Sequence, residues 1–156
     1  MKYTFHYDSP VGRLYIAEAD GAITDVAYHP VKNAEDKETP LILRAAEMLT
    51  EYFEGKRKDF EGLPLCVSGT EFQKKAWAAL LTIPYGQTRS YKEQAEATGN
   101  VKACRAIGSA NGRNPISIII PCHRVIGSDN SLTGYGGGLS AKKTLLELER
   151  KYGPGI

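Results

Sequence analysis

Three consecutive residues of the 156-residue sequence carry a thiol, an imidazole and a guanidinium: Cys122, His123 and Arg124. Positive charge lowers the pKa of a neighbouring thiol, and the thiolate is the nucleophilic form of cysteine. The three residues follow an apolar run at 116–120 that ends at Pro121. The run is β-branched and too short for a helix, so it predicts a short buried strand. Because proline cannot donate to a sheet, the strand should stop there and leave Cys122 reachable at the end of a rigid element.

A nucleophilic cysteine needs a base, and an imidazole that acts as this base needs a carboxylate to orient it. Neighbouring side chains of an extended segment point to opposite faces. Direct proton transfer from Cys122 to His123 would therefore require a turn at Pro121-Cys122, and a bridging water is the alternative. By residue type, the candidates for the orienting carboxylate are Glu147 and Glu149. A cysteine at a strand end is often an inert apolar residue, and the local chemistry leaves that interpretation open.

The three cysteines, Cys66, Cys104 and Cys122, include no CxxC pair, and together with His123 they match no recognised zinc-ligand spacing. An odd cysteine count without an export signal is typical of reduced thiols in a cytoplasmic protein. Residues 1–15 alternate polar and apolar side chains and lack the apolar core and cleavage site of a signal peptide. No apolar run approaches the length that spans a bilayer. We therefore expect a cytoplasmic protein without a membrane segment or a metal site.

The first half of the chain predicts a small α/β domain. Asp20-Gly21 is a favoured tight-turn pair, and apolar residues flank it on both sides, which predicts a β-hairpin over residues 13–28. Alternating aromatic residues before the hairpin predict a further strand. Thr39-Pro40 has the residue types of a helix start, and Gly55 those of a helix end.

An irregular segment at residues 56–68 is interpreted as a linker. It separates an N-terminal domain over residues 1–66 from a C-terminal domain over residues 67–156. The first has 8 Lys and Arg against 12 Asp and Glu, a net charge of −4, and the second has 12 against 6, a net charge of +6. A basic half beside an acidic half is common in proteins with an anionic partner such as nucleic acid, although chance asymmetry of a solvated surface looks the same.

The second half predicts a mostly helical domain, so the fold class is α/β in the broad sense (α+β). Capping boxes of the types Thr-x-x-Gln at 70–73 and Ser-x-x-Glu at 90–93 open two helices. Asn100 should cap a third helix that ends near residue 111. The last two helices, joined by a three- to four-residue turn that contains Gly99, have the pattern of a helix-turn-helix.

The second helix of this pattern carries Lys102 and Arg105, and Arg113 lies just beyond its end. Its other residues are mostly small, as at 106–110. Small side chains let a helix approach a nucleic-acid groove closely while basic residues meet phosphates. Close packing of helices favours small residues equally well. Both interpretations stay open on the pattern alone.

The block Pro121-Cys122-His123-Arg124-Val125 closely resembles the O6-alkylguanine-DNA alkyltransferases, also called methylated-DNA–protein-cysteine methyltransferases. The resemblance covers residues 70–150, with family-like spacing. It includes Ser90-Tyr91, Arg105-Ala106-Ile107-Gly108, Asn114-Pro115 and the segments 134–139 and 145–149. Residues 1–60 resemble the more divergent N-terminal α/β domain of that family.

The resemblance implies a DNA-repair enzyme that acts on double-stranded DNA containing O6-alkylguanine. Such proteins rotate the alkylated base out of the duplex and move the alkyl group to one of their own cysteines. The thioether is not reversed, so each molecule reacts once. An alkylated base pairs poorly, which lowers the energy needed to flip it. The resemblance also implies a monomer that needs no cofactor.

The resemblance implies roles for the reacting groups. Cys122 matches the alkyl acceptor, and His123 matches the base that activates it through a water. Glu149 matches the carboxylate that orients the imidazole, in preference to Glu147. Tyr91 matches the phenol that donates a proton toward the guanine as it leaves.

The resemblance also implies roles in DNA binding. Arg105 matches the residue that fills the gap left by the flipped base, and Asn114 matches a hinge residue that braces the helix-turn-helix against the site. Val125 and Tyr135 match walls of the base pocket. The helix should enter the minor groove, which suits its small residues. The remaining expected DNA-binding residues are Ala106, Lys102 and Arg113.

Some relatives hold zinc in the N-terminal domain through Cys and His. Residues 1–65 contain no Cys, so no such site is expected here. Two other functions compete with alkyl transfer. Alkyltransferase-like proteins bind lesions but lack the acceptor cysteine, which Cys122 argues against. A cysteine hydrolase using Cys122 and His123 would leave the basic, small-residue helix unexplained.

Overall fold

The structure is a computed structural model, and it describes residues 1–129, 132 and 134–153. The chain divides into two compact units. The first contains Met1–Val67 and Pro115–Ile119, and the second contains Ser68–Asn114 and the chain that follows residue 119. No helix of the described residues is both long enough and apolar enough to cross a membrane.

The N-terminal unit is built on a four-stranded sheet with strand order β3-β2-β1-β4. Its strands are β1 (Lys2–Ser9), β2 (Gly12–Ala19), β3 (Ala22–Ala27) and β4 (Glu35–Asp36). The pairs β1–β2 and β2–β3 are antiparallel, whereas β4 runs parallel to β1. The predicted hairpin is confirmed as β2 and β3. Asp20 and Gly21, at φ 51° and 79°, form the tight turn that matches the twist of the two strands.

Helix α1 (Pro40–Phe53) belongs to the same unit. Its start is as predicted, because the Thr39 side chain accepts a hydrogen bond from the backbone N–H of Ile42 at 3.2 Å. One face of the helix is buried, as a helix packed on a sheet requires. The buried residues of α1 are Ile42, Ala45, Met48, Leu49 and Tyr52.

The predicted strand at residues 116–120 is wrong. Only Ile116 forms a bridge to β3, where Val26 donates to the Pro115 carbonyl and accepts from Ser117, both at 2.9 Å. The chain then reverses at Ile118, whose φ is +72°, and the N–H of Ile119 donates to the Ser117 carbonyl at 2.8 Å. This is a γ-turn, a strained conformation for a β-branched residue. The apolar run correctly predicted burial, but burial does not require strand pairing.

The second unit contains four helices and a two-residue parallel ladder. The helices are α2 (Glu71–Leu81), α3 (Tyr91–Ala97), α4 (Cys104–Gly112) and α5 (Leu139–Tyr152). The ladder pairs β5 (Arg89–Ser90) with β6 (Val125–Ile126). Both predicted capping boxes are present, at Thr70 with Gln73 and at Ser90 with Glu93.

The predicted cap of α4 is wrong. Helix α4 begins at Cys104 without a side-chain cap. The Asn100 side chain instead accepts from the N–H of Lys102 at 3.1 Å, which closes a local turn. The connection from α3 to α4 is therefore residues 98–103, longer than expected. Gly99 does adopt the left-handed conformation, with φ +89°.

Helix α4 has two distinct faces. Ala103, Ile107 and Ala110 are buried in a cluster with Ala76 of α2 and Ala95 of α3. The opposite face is exposed and carries Arg105, Ala106 and Ser109, and Lys102 is exposed just before the helix begins. Small residues therefore serve helix packing on one face and leave the other face flat.

Candidate active site

Cys122 begins a single 3-10 turn, Cys122–Arg124, in the second unit. Its N–H donates to the Ile120 carbonyl at 2.8 Å across Pro121, whose φ and ψ are −83° and 65°. This inverse γ-turn is the bend that a proton transfer between neighbouring side chains requires. The thiol is less accessible than expected for a strand end, because Cys122 is only 7% exposed.

A cavity of about 290 Å³ leads to Cys122. Tyr91, the first residue of α3, lines it, as does Tyr135 of the glycine-rich segment. Val125 is fully buried and is not among the lining residues that the structure describes. The complete set of described lining residues is Tyr91, Gly108, Asn111, Gly112, Cys122, Gly134, Tyr135 and Gly136.

The Cys122 thiol has a raised pKa. Burial is the main cause, because it disfavours the thiolate, and a hydrogen bond from Asn114 and the charge of Lys142 act in the opposite direction. Asn114 also donates from Nδ2 to the Ile120 carbonyl at 2.7 Å, the same oxygen that accepts from the Cys122 backbone. Asn114 thus fixes the turn that carries the thiol, and the thiol is protonated at neutral pH.

His123 is completely buried, and its Nε2 lies 2.7 Å from Oε2 of Glu149. Its Nδ1 has no hydrogen-bond partner among the residues that the structure describes. Burial lowers the pKa of His123, although the hydrogen bond to Glu149 opposes that effect. Glu147, the other candidate carboxylate, is exposed on α5 and lies 3.9 Å from Lys143.

Besides its contact with His123, Glu149 accepts three hydrogen bonds from two residues: from Nε of Arg124 at 2.8 Å, from Nη2 of Arg124 at 3.0 Å, and from the N–H of Gly86 at 3.2 Å. Burial alone would raise the pKa of this carboxyl, but the hydrogen bonds and charges of His123 and Arg124 lower it to about 2. Glu149 is therefore an anion throughout the neutral range.

Arg124 binds Glu149, whereas its position in the sequence suggested a positive charge beside the Cys122 thiol. Its guanidinium is bound to Glu149 by two hydrogen bonds, and Nη1 donates to the Ile83 carbonyl at 2.7 Å. The ring of Tyr85 lies 5.7 Å from its central carbon. Arg124 therefore stabilises the carboxylate that orients His123, rather than acting directly on the thiol.

Lys142 was missed by the sequence reasoning. It is 1% exposed, and Nζ donates to the Val125 carbonyl at 2.6 Å. Burial lowers its pKa, and the nearby Cys122 opposes that effect. Lys142 and Glu149 are seven residues apart on α5, on the same buried face as Leu145. That spacing is the signal that could have identified the lysine.

The expected DNA-binding residues Lys102, Arg105, Ala106 and Arg113 are all exposed, on α4 or directly beside it. None of the three basic side chains forms an ion pair with a described residue, so their charge is available to an anion. Over residues 1–129, 132 and 134–153, no three His, Cys, Asp or Glu side chains are grouped in a way that could hold a metal ion.

Two family models match consecutive parts of the chain. Residues 1–67 match the ribonuclease-like domain of 6-O-methylguanine DNA methyltransferases, and residues 71–151 match the DNA-binding domain of the same family. The chain belongs to the 6-O-methylguanine DNA methyltransferase family.

Relatives of this methyltransferase family cover nearly the whole chain. A methylated-DNA–protein-cysteine methyltransferase of Mycolicibacterium paratuberculosis is 48% identical over 152 residues, which are 94% of this chain and 92% of the relative. The constitutive methyltransferase of the same name from Bacillus subtilis is 46% identical over 160 residues, with 96% of each chain covered.

Solved methyltransferase structures share the fold. The O6-methylguanine methyltransferase of Mycobacterium tuberculosis has a TM-score of 0.91 and 42% identity, and the match covers 100% of this chain and 97% of that one. A structure of the OGT of the same organism in complex with DNA has a TM-score of 0.88 and 44% identity, with 99% and 95% covered. The predicted α/β class, with an N-terminal sheet and a helical C-terminal part, is confirmed.

Proposed function

We propose that this methyltransferase accepts the alkyl group of O6-alkylguanine in duplex DNA on Cys122, once per molecule. The observation that carries the proposal is the cavity that reaches Cys122 beside the buried His123–Glu149 pair. Its volume of about 290 Å³ is near the lower end of the range for small-molecule sites, which begins at about 300 Å³. A single flipped base is a ligand of suitable size.

His123 is the base in this proposal. Its lowered pKa keeps the imidazole neutral near pH 7, and the ionised Glu149 accepts a hydrogen bond from the N–H at Nε2. In that tautomer Nδ1 is the basic nitrogen. We propose that the thiol proton of Cys122 reaches Nδ1 through a bridging water, because the neutral imidazole can accept it.

The reaction forms a bond between the Cys122 sulfur and the alkyl carbon and breaks the bond between that carbon and O6. The electron pair of the broken bond stays on guanine, which takes a proton that Tyr91 donates. His123 then releases the thiol proton to solvent, and the Tyr91 phenolate takes up a proton from solvent, so that in net terms one proton moves from the thiol to guanine. The product thioether has no acidic proton and is a poor leaving group, so the cysteine is not regenerated.

Helix α4 is the proposed DNA-binding element, as the second helix of a helix-turn-helix that begins with α3. Lys102 and Arg113 would meet phosphates, and Arg105 would fill the gap left by the flipped base. Ala106 keeps the exposed face flat enough for the minor groove. The N-terminal domain, proposed as residues 1–66, carries no part of this chemistry. We further propose a monomer that works in the cytoplasm, where thiols stay reduced.

Mass spectrometry after incubation with a duplex that contains O6-methylguanine tests the proposal. We expect one added methyl group on a peptide that contains Cys122, with one equivalent transferred per molecule. The variant Cys122→Ala should bind the same duplex and transfer nothing. Multiple turnovers would indicate a hydrolase, and the absence of an adduct would remove alkyl transfer altogether.

A second experiment tests the base-flipping role of Arg105. Arg105→Ala should slow transfer from duplex DNA more than transfer from the free O6-methylguanine base, because only the duplex needs the gap to be filled. Equal slowing of both reactions would contradict this role. The exposed Lys143→Ala on α5 serves as the control for loss of one positive charge.

A further inference from the structure

Two side-chain amides, Gln94 on α3 and Asn111 on α4, are paired with each other. Nε2 of Gln94 donates to Oδ1 of Asn111 at 2.8 Å, and Nδ2 of Asn111 donates to Oε1 of Gln94 at 2.8 Å. Gln94 is only 2% exposed, and its Nε2 also donates to the Ala76 carbonyl of α2 at 3.1 Å. This amide pair links three helices of the second unit.

The backbone carbonyl of Ala76 fixes the direction of both amides. A carbonyl only accepts hydrogen bonds, so the amide nitrogen of Gln94 must face Ala76. Both N–H groups of Gln94 are then used, and its oxygen must accept from Asn111. A flip of either amide would put two donors or two acceptors against each other. Asn111 is therefore held in one orientation, although it is only half-buried.

The pair uses half of the hydrogen-bonding capacity of Asn111. A primary amide has two N–H groups and two oxygen lone pairs, and Gln94 takes one of each. No other described residue bonds to this side chain. Asn111 also lines the cavity that leads to Cys122, together with Tyr91. Asn111 thus lines the cavity with an amide whose orientation is fixed and whose second N–H is bound by no described residue.

We propose that Asn111 donates this second N–H to N3 or N7 of the alkylated base, and that Gln94 is the positioning residue that holds it there. The inference rests on the proposed function and names a specificity-determining residue of the same site. O6-alkylguanine keeps the acceptor nitrogens N3 and N7. A fixed donor to either one also stabilises the negative charge that develops on the base as it leaves.

Substrate analogues in duplex DNA test the contact. The saturating rate of single-turnover transfer is measured for O6-methylguanine and for its 3-deaza and 7-deaza analogues, each of which lacks one ring acceptor. With the wild-type protein, one of the two analogues should react about 10-fold more slowly, the effect of one hydrogen bond. Asn111→Ala should lose a similar factor with O6-methylguanine and lose nothing further with that analogue.

Gln94→Leu tests the positioning role. It keeps the size of the side chain but leaves Asn111 free to turn, so it should reproduce the loss seen in Asn111→Ala and add nothing to it in the double variant. DNA affinity should stay unchanged in both, which a general disturbance of the helices would not allow. The matched control is Gln87→Leu, which removes an exposed amide from the same unit and should react like the wild type.

The outcomes separate the two proposals. No Cys122 adduct in the wild-type protein removes the proposed function and this contact with it. A normal adduct, with neither deaza analogue slowed in the wild type, overturns the contact alone and needs no variant to fold. The contact is also overturned if the effect of Asn111→Ala adds to the effect of each deaza analogue. A third analogue, which lacks the 2-amino group, tests the other end of the amide. If Asn111→Ala shares its effect only with that analogue, the Asn111 oxygen is the contact atom and the proposed donor contact is overturned.

Discussion

Glu149 is the residue on which the buried charges of the site depend. Its carboxylate is 1% exposed and is balanced by the two hydrogen bonds of Arg124. Taking an ion out of water is unfavourable unless the partner remains in place, so the two side chains stabilise the fold only together. The same carboxylate sets the tautomer of His123. Under the proposed function, stability and chemistry therefore depend on this one group.

The variant Glu149→Gln should be less stable and should transfer the alkyl group more slowly. It leaves the Arg124 guanidinium buried without a counter-ion, and we expect the free energy of unfolding to fall by about 3–5 kcal/mol, as for other broken buried pairs. Transfer should slow because a neutral amide orients the imidazole less firmly. Denaturant unfolding and single-turnover transfer measure the two effects. Glu147→Gln, two residues away and exposed, is the matched control and should change neither, whereas equal effects of the two variants would contradict the assignment.

The pH dependence of stability should follow the same pair. The pKa of Glu149 is about 2 in the folded protein, against an ordinary value of 4.5 that applies to the unfolded chain. Its contribution to the free energy of unfolding is therefore complete above pH 4.5 and is lost as the pH falls toward 2. The pKa of His123 is also lowered, from its ordinary value of 6.5. On acidification the imidazole is therefore protonated in the unfolded chain before it is protonated in the folded protein, and stability begins to fall below pH 6.5. Each proton contributes a slope of up to about 1.4 kcal/mol per pH unit.

Denaturant unfolding between pH 8 and pH 2 checks this dependence. Stability should decrease on acidification in the wild-type protein, and Glu149→Gln should remove the part between pH 4.5 and pH 2. A wild-type profile that is flat between pH 6.5 and pH 2 would contradict the burial of both groups. Transfer should also decline in acid, since a protonated imidazole cannot accept the thiol proton.

At the scale of elements, α4 combines a buried face and an exposed face in nine residues. Gly108 lies inside this helix, where glycine is unfavourable, and it also lines the cavity. A Cβ at this position would meet nothing within 4 Å of the protein. Packing within the described residues therefore does not require a glycine here, and under the proposed function the open space would admit the flipped base.

Gly108→Ala should therefore make the protein more stable and less active. The helix should gain about 0.5–1 kcal/mol, while the added methyl group narrows the cavity and slows transfer from a free O6-alkylguanine base. Denaturant unfolding and the rate with the free base give the two values. The control is Ser109→Ala, which changes the next, exposed residue and should leave the rate of transfer unchanged. A loss of stability in Gly108→Ala would contradict the inference that an added Cβ has room at this position.

Local sequence signals predicted the elements whose causes are local. The Asp20-Gly21 turn and the two capping boxes are confirmed, because each depends on residues at most three positions apart. The strand at residues 116–120 was wrong, because hydrophobicity shows that a segment is buried and not how it is paired. The cap at Asn100 was wrong for a similar reason, since the same side chain can close a turn or start a helix.

The geometry of the candidate site was predicted in part. The Cys122 block and the choice of Glu149 came from a specific sequence pattern, and the structure brings His123 and Glu149 together. The burial of Lys142, the pairing of Arg124 with Glu149, and the contact between Gln94 and Asn111 were not predicted. Each of these depends on which residues meet in the folded chain, and composition and spacing do not contain that information.

At the scale of the whole molecule, the N-terminal unit is discontinuous in sequence, because it includes Pro115–Ile119. The N–H of Val26 on the β3 edge donates to the Pro115 carbonyl at 2.9 Å. Residues 1–67 alone lack this partner, although they match one family model. The folded unit therefore contains one segment, Pro115–Ile119, that lies outside the domain predicted over residues 1–66.

A fragment of residues 1–67 should consequently be less stable than the same residues in the full chain. Amide hydrogen exchange gives the test: the Val26 N–H should be protected in the full protein and should exchange quickly in the fragment. The Ile16 N–H, within the β2 strand, provides the internal reference. Equal protection of Val26 in both samples would mean that Pro115–Ile119 does not complete the sheet.

The discontinuous unit also has a consequence for synthesis on the ribosome. Chains emerge from the N-terminus at about 5–20 residues per second, and early domains generally fold first. Here the edge of the first sheet stays open until Ser117, whose N–H donates to the Val26 carbonyl, has left the exit tunnel. Cys122 follows five positions later. The nascent chain therefore closes its first sheet at almost the same moment as Cys122 leaves the tunnel, and no complete N-terminal unit exists before the proposed acceptor has been made.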